Sequence, residues 1–75
     1  MDKKEILKQI GKNIQKIRQE KGYTQETFSE LMDCSWSYVA KMESGILNLS
    51  IGKITEIADF LNVDINLILE IKNKF

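Results

Sequence analysis

Histidine and proline are absent from the 75 residues, and cysteine and tryptophan occur once each. Without histidine the commonest general base is missing, and with it any Ser-His or Cys-His nucleophile pair. Cys34 alone cannot close an internal disulfide, and with no histidine beside it no zinc site is expected. An enzymatic reading is therefore poor, and neither a cofactor nor a small-molecule substrate is expected. Long apolar runs are also lacking. The opening stretch MDKKEILKQI reads neither as a signal peptide nor as a transmembrane helix, so no membrane association and a cytoplasmic location are expected. No Pro-rich, Gly/Ser-rich or low-complexity linker interrupts the chain and no internal repeat is visible, so residues 1–75 are expected to form a single domain. A chain near 60 residues buries only about 60% of the surface it exposes unfolded, so oligomerisation would help.

Formal net charge is zero, which argues against a non-specific coat for nucleic acid. The distribution is less even than the total. Residues 1–21 hold seven basic side chains (Lys3, Lys4, Lys8, Lys12, Lys16, Arg18, Lys21) against three acids, and the remainder is acidic by the same margin. One side of the molecule can thus be cationic; the alternative is that these lysines only solvate the first helix.

What is present is helical pattern. Ile6, Ile10, Ile14 and Ile17 form an apolar stripe on a first helix that starts after Asp2, with Glu5 placed as in a capping box. It runs to about Glu20, where Gly22 supplies a left-handed stop. From Thr24 to Gly45 two short amphipathic segments follow with only a brief link between them. Thr24 can cap a helix over about 25–32, and Ser35 one over about 36–43 that Gly45 ends. Phe28 and Leu31 on the first, and Val39 and Met42 on the second, share inward faces. Asp33 occupies a link that requires left-handed backbone. Cys34, at the inner side of this turn, reads as a small buried apolar residue. Two helices joined this tightly cross at a large angle, as in a helix-turn-helix. Ile46 or Leu47 is expected to tuck onto the core from the loop that follows. Ser50 then caps a fourth helix burying Ile51, Ile54, Ile57, Ala58 and Leu61, and Asp64 caps a fifth over 65–72. The fold class is all-α, a compact five-helix domain.

These residues resemble the lambda-repressor-like (Xre-type) helix-turn-helix family over roughly Ile14 to Leu69. The likeness is carried by Arg18, Thr24-Gln25-Glu26, Ser35, Tyr38-Val39, Met42-Glu43-Ser44-Gly45, Asn48-Leu49-Ser50 and the run ITEIADFLNV from Ile54. It implies a sequence-specific transcriptional regulator that binds double-stranded DNA in the major groove as a homodimer on a pseudo-palindrome. Stand-alone members of this size resemble phage-type repressors, restriction-modification controllers and DNA-binding antitoxins, and the Asn48-Leu49-Ser50 run leans toward the controllers.

By the same resemblance, DNA contacts fall on Gln25, Ser35, Trp36, Ser37 and Lys41, with backbone contacts near Ser44 and Asn48. Gln25, at the start of the second helix, would offer both its side-chain amide and the helix N-terminal N–H groups to a phosphate. Lys41 can donate to guanine, and Ser37 can pair with several bases. Trp36 departs from the family, which often carries a long polar residue there. Its ring could pack on a thymine methyl or sugar, or cover Tyr38 or a protein surface. Arg18 and Glu43 match an ion pair of the family that ties the third helix to the first, the alternative being two solvated charges. Asp33 in place of the usual turn glycine, Ser29 for Ala and Leu49 for Pro are further departures, and Glu30 and Asp33 put negative charge near the expected DNA side. In the fifth helix Ile65, Leu67, Ile68, Leu69 and Ile71 wrap more than one face, which suggests a dimer contact through Phe60, Leu67, Ile71 and Phe75, unless Phe75 folds back on its own subunit. The alternative function is a protein-interaction module, or an antitoxin-like partner binder, on the same scaffold.

Overall fold

The computed structural model describes residues 2–72. Five helices follow one another, α1 (Lys3–Glu20), α2 (Gln25–Leu31), α3 (Trp36–Ser44), α4 (Ile51–Leu61) and α5 (Ile65–Leu69), with no strand among the described residues. Every helix begins at a side chain that accepts from the first turn: Asp2, Thr24, Ser35, Ser50 and Asp64. Such caps satisfy N–H groups that have no partner inside the helix. At α2 the cap is reciprocal, since Thr27 N–H donates to Thr24 Oγ1 and Thr24 N–H donates to Thr27 Oγ1. Asp33 lies in the left-handed region at φ 55°, so the link between α2 and α3 turns within a few residues.

The core joins Ile10, Ile14 and Ile17 of α1 with Phe28, Met32, Val39, Met42, Ile54, Ile57, Ala58, Leu61 and Ile68. Helix α1 packs across both α3 and α5, and α2 packs on α3. The crossing of α1 over the end of α3 depends on Gly11. A Cβ there would run into the Glu43 carbonyl and stand 2.8 Å from the Met42 carbonyl oxygen, too close for any other residue without separating the helices. Glycine inside a helix costs about 1 kcal/mol relative to alanine. Close approach of two backbones offsets that cost.

Several sequence expectations are corrected. Leu31 is not on the inward face; it is 41% exposed, and Met32, one residue later at the helix end, fills the core instead. Ile51 opens α4 exposed and does not share the buried face of Ile54, Ile57, Ala58 and Leu61. Leu47, and not Ile46, packs onto the core from the connecting loop. Cys34 is half-buried at the edge of the core.

The largest correction concerns the fifth helix, expected over 65–72. It stops at Leu69, and Glu70 is extended (φ −66°, ψ 110°). Side chains of α1 take over the backbone partners that further helical turns would supply. Asn13 Nδ2 donates to the carbonyls of Ile68 and Glu70, both at 2.8 Å, while Gln9 accepts from Lys72 N–H at 2.9 Å and donates to its carbonyl. In this arrangement Ile68 is fully buried, and Ile65, Leu69 and Ile71 are half-buried against the chain's own core. Leu67 is left 50% exposed. Phe60 is half-buried on the core, and Phe75 lies outside the described residues.

Candidate functional site

Helix α3 is nine residues long and its two faces meet different surroundings. Val39, Met42 and Glu43 are buried, whereas Ser35, Trp36, Ser37, Lys41 and Ser44 are exposed. The exposed set lies on the outward side of a helix held firmly from behind.

The hold is electrostatic as well as apolar. Arg18 Nε donates to Glu43 Oε2 at 2.6 Å and Arg18 Nη2 to Glu43 Oε1 at 3.0 Å, a bidentate pair with both side chains almost free of solvent. The remaining fork nitrogen, Nη1, donates to the Tyr23 carbonyl at 2.8 Å, so the guanidinium also ties down the loop before α2. Planar fork geometry is what arginine supplies and lysine does not. No buried side-chain polar atom among the described residues lacks a partner.

Gln25 is the member of the expected DNA-contacting set that the structure redefines. Its Nε2 donates to Glu43 Oε1 at 3.0 Å, and its Oε1 accepts from Trp36 Nε1 at 3.0 Å. The side-chain amide therefore bridges the buried carboxylate and the tryptophan, which leaves only the second N–H of its NH2 group for a phosphate. Trp36 neither covers Tyr38 nor sinks into the core; its ring is 54% exposed with its one polar atom engaged. Ser35 spends its hydroxyl capping Tyr38 N–H, and Ser44 donates to the Lys41 carbonyl, so neither hydroxyl is idle. Lys41, Ser37 and Asn48 are exposed and carry no side-chain hydrogen bond or ion pair among the described residues. Tyr38, half-buried, has Lys53 Nζ 5.7 Å from its ring centroid.

A cleft beside this surface was not foreseen from the sequence. The first turns of α1 contribute Lys3, Lys4, Leu7 and Lys8, and the loop after α3 contributes Ser44, Gly45, Ile46 and Asn48. Gly45 makes the approach possible: at φ +81° it takes a left-handed backbone, and a Cβ there would lie 2.7 Å from Lys8 Cα. Three lysines of the basic N-terminal segment thus flank Ser44 and Asn48. A second cleft, between α1 and the chain after α5, is lined by Gln9, Lys12, Asn13, Lys16, Glu20, Leu67 and Lys72, among others.

No described helix is long and apolar enough to cross a membrane. Burial pushes the Cys34 thiol above its ordinary value, with Lys53 opposing the shift and Asp33 adding to it.

The helix-turn-helix family pattern matches residues 14–68, from mid-α1 to near the end of α5. The chain belongs to the helix-turn-helix family of the Xre, lambda-repressor-like type. Its members are DNA-binding transcriptional regulators. Among solved structures, the restriction-modification controller protein C.AhdI from Aeromonas hydrophila is similar to this Xre-type chain at 31% identity. Its TM-score is 0.75, with 83% of this chain and 94% of C.AhdI covered. No curated protein sequence matches at a comparable level. In family terms α2 and α3 are the two helices of the motif, and α3 is the one that helix-turn-helix proteins lay in the major groove.

Proposed function

We propose that this Xre-type chain is a sequence-specific transcriptional regulator that binds a pseudo-palindromic operator as a homodimer, presenting the outward face of α3 to base edges in the major groove. The observation that carries the reading is the division of α3: Trp36, Ser37 and Lys41 face solvent while Glu43 and Met42 bind the same helix to α1. A rigid helix with a solvent-facing polar end can enter a groove without reorganising. Lys41 is the candidate reader of guanine, and Ser37 a less selective neighbour. Ser44, Asn48 and the lysines across the cleft from them are candidates for the phosphates.

Dimerisation would use Leu67, with Phe60, Ile71 and Phe75 as further candidates. The half-exposed Leu67 supports this, as does the modest core that a chain of this size can build. Two copies related by a two-fold axis would address half-sites about one helical turn apart. Such a regulator works in the cytoplasm. The likeness to C.AhdI makes the control of a restriction-modification operon the first setting in which to look for its operator.

Selection of bound duplexes from a random pool tests this directly. Recovery of a symmetric motif, lost on Lys41→Ala combined with Ser37→Ala, is the expected result. A pool with no enrichment, or enrichment indifferent to those changes, would overturn it. A second reading, a protein-interaction or antitoxin-like module on the same scaffold, is favoured by the exposed Trp36 and the zero net charge. Salt separates the two, since phosphate contacts release counterions and DNA affinity must fall steeply as salt rises.

A further inference from the structure

The bond between Gln25 and Trp36 has a polarity that is dictated from inside the molecule. Glu43 is a carboxylate that accepts on both oxygens from Arg18, so the only part of the Gln25 amide that can face it is the NH2 group. The amide oxygen must then point the other way, toward Trp36. An indole has a single polar atom, a donor, and here it meets that oxygen at 3.0 Å. The buried pair thus sets the amide, the amide holds the indole, and the indole is left with no hydrogen-bonding group for a ligand. What it presents to solvent is an apolar ring, 54% exposed, in the first turn of α3.

We infer that Trp36 reads thymine by its C5-methyl group, as an apolar reader held in register by Gln25, and that Lys41 and Trp36 therefore divide the operator between polar and methyl recognition. This rests on the DNA-binding reading above. In the major groove the thymine methyl is the one base-edge feature that an apolar surface distinguishes, whereas the acceptors and donors of the other bases require polar partners. A ring whose N–H is already bound gains nothing from guanine or adenine N7. Gln25 acts as a positioning residue in this scheme.

The probe is a duplex recovered by selection, prepared once with thymine and once with deoxyuridine, which lacks only the methyl. Burying one methyl-sized group is worth roughly 0.8 kcal/mol, so the thymine form should bind about fourfold more tightly for each methyl contacted. Because Trp36 is the sole tryptophan, its fluorescence reports the contact without a label. Its emission should change on binding the thymine duplex, and less on binding the deoxyuridine one. Trp36→Phe, which keeps an apolar ring but has no N–H for Gln25 to hold, should show a reduced preference for thymine, and Trp36→Ala should lose it. Gln25→Met, which keeps the length of the side chain but removes both bonds, should shrink the thymine preference while the loss caused by Lys41→Ala stays the same size. Melting of each variant without DNA identifies any that fail to fold. Equal affinity of the unaltered chain for both duplexes, with unchanged Trp36 emission, would overturn the inference and leave DNA binding intact. A pool from which nothing is retained would overturn both.

Discussion

The two ends of α3 show how one short helix can be both anchor and reader. At the C-terminal end Met42 is buried, Glu43 is clasped by Arg18, and two glycines, Gly11 and Gly45, let α1 come within backbone contact. At the N-terminal end the helix is held by the Ser35 cap and by the single bond from Trp36 to Gln25. Stability is concentrated where solvent is excluded, because a charge pair out of water is costly to break. Ser37 and Lys41, exposed and part of neither the cap nor the network, can be exchanged at little cost to the fold, since such surface substitutions usually change stability by less than about 0.5 kcal/mol. Gln25 is the one residue that belongs to both ends.

Breaking the anchor should have the largest effect. Glu43→Ala strands the Arg18 guanidinium and the Gln25 amide, and leaving one partner of a buried pair costs about 3 to 5 kcal/mol. Thermal unfolding without DNA should show a large fall in melting temperature; an unchanged value would mean that the pair does not hold α3. Gly11→Ala sharpens the comparison because two effects oppose each other. Helix propensity alone predicts a gain of about 1 kcal/mol. Overpacking against the Glu43 and Met42 carbonyls predicts a loss of about 1 to 3 kcal/mol, and the loss should win because backbone, unlike a side chain, cannot rotate away. Denaturant titration gives the sign.

The outward face of α3, which carries Lys41, should respond in the opposite way. Lys41→Ala should leave the melting temperature unchanged and weaken binding to a selected duplex by about tenfold, the scale of one base contact. If the melting temperature falls with the affinity, the anchoring and outward faces of α3 are not separable. The smallest effect is expected at Cys34, beside the turn. Its folded-state pKa is raised, so the neutral thiol is preferred in the fold; that contribution is complete below the ordinary thiol pKa and is lost as pH rises through the folded value. The difference in melting temperature between the chain and Cys34→Ala should therefore shift against the unaltered chain from neutral to alkaline pH.

The comparison also separates what each kind of information carries. The caps at Asp2, Thr24, Ser35, Ser50 and Asp64 were readable in order, because a cap is a local interaction between a side chain and N–H groups two or three residues on. The isoleucine stripe of α1 and the left-handed positions at Gly22, Asp33 and Gly45 are local in the same sense. Leu31 and Ile51 were misread because periodicity gives a face, whereas the neighbouring helix decides how much of that face it covers. Gly11 left a signal that was passed over, a glycine inside an otherwise helical run, whose usual reason is packing.

The sequence by itself determined the number and order of the helices, their starts, and the side chains available to the outward face of α3, since each depends on neighbours a few residues away along the chain. Tertiary structure alone decided the rest. That α5 ends at Leu69 follows from Asn13 and Gln9, more than fifty residues earlier, taking the backbone groups of the segment that follows it. That Gln25 bonds to Glu43 and Trp36 follows from α1, α2 and α3 meeting at one point. Hydrogen-bond partners distant in sequence are chosen by where the packed helices bring them, and no spacing rule along the chain encodes that choice.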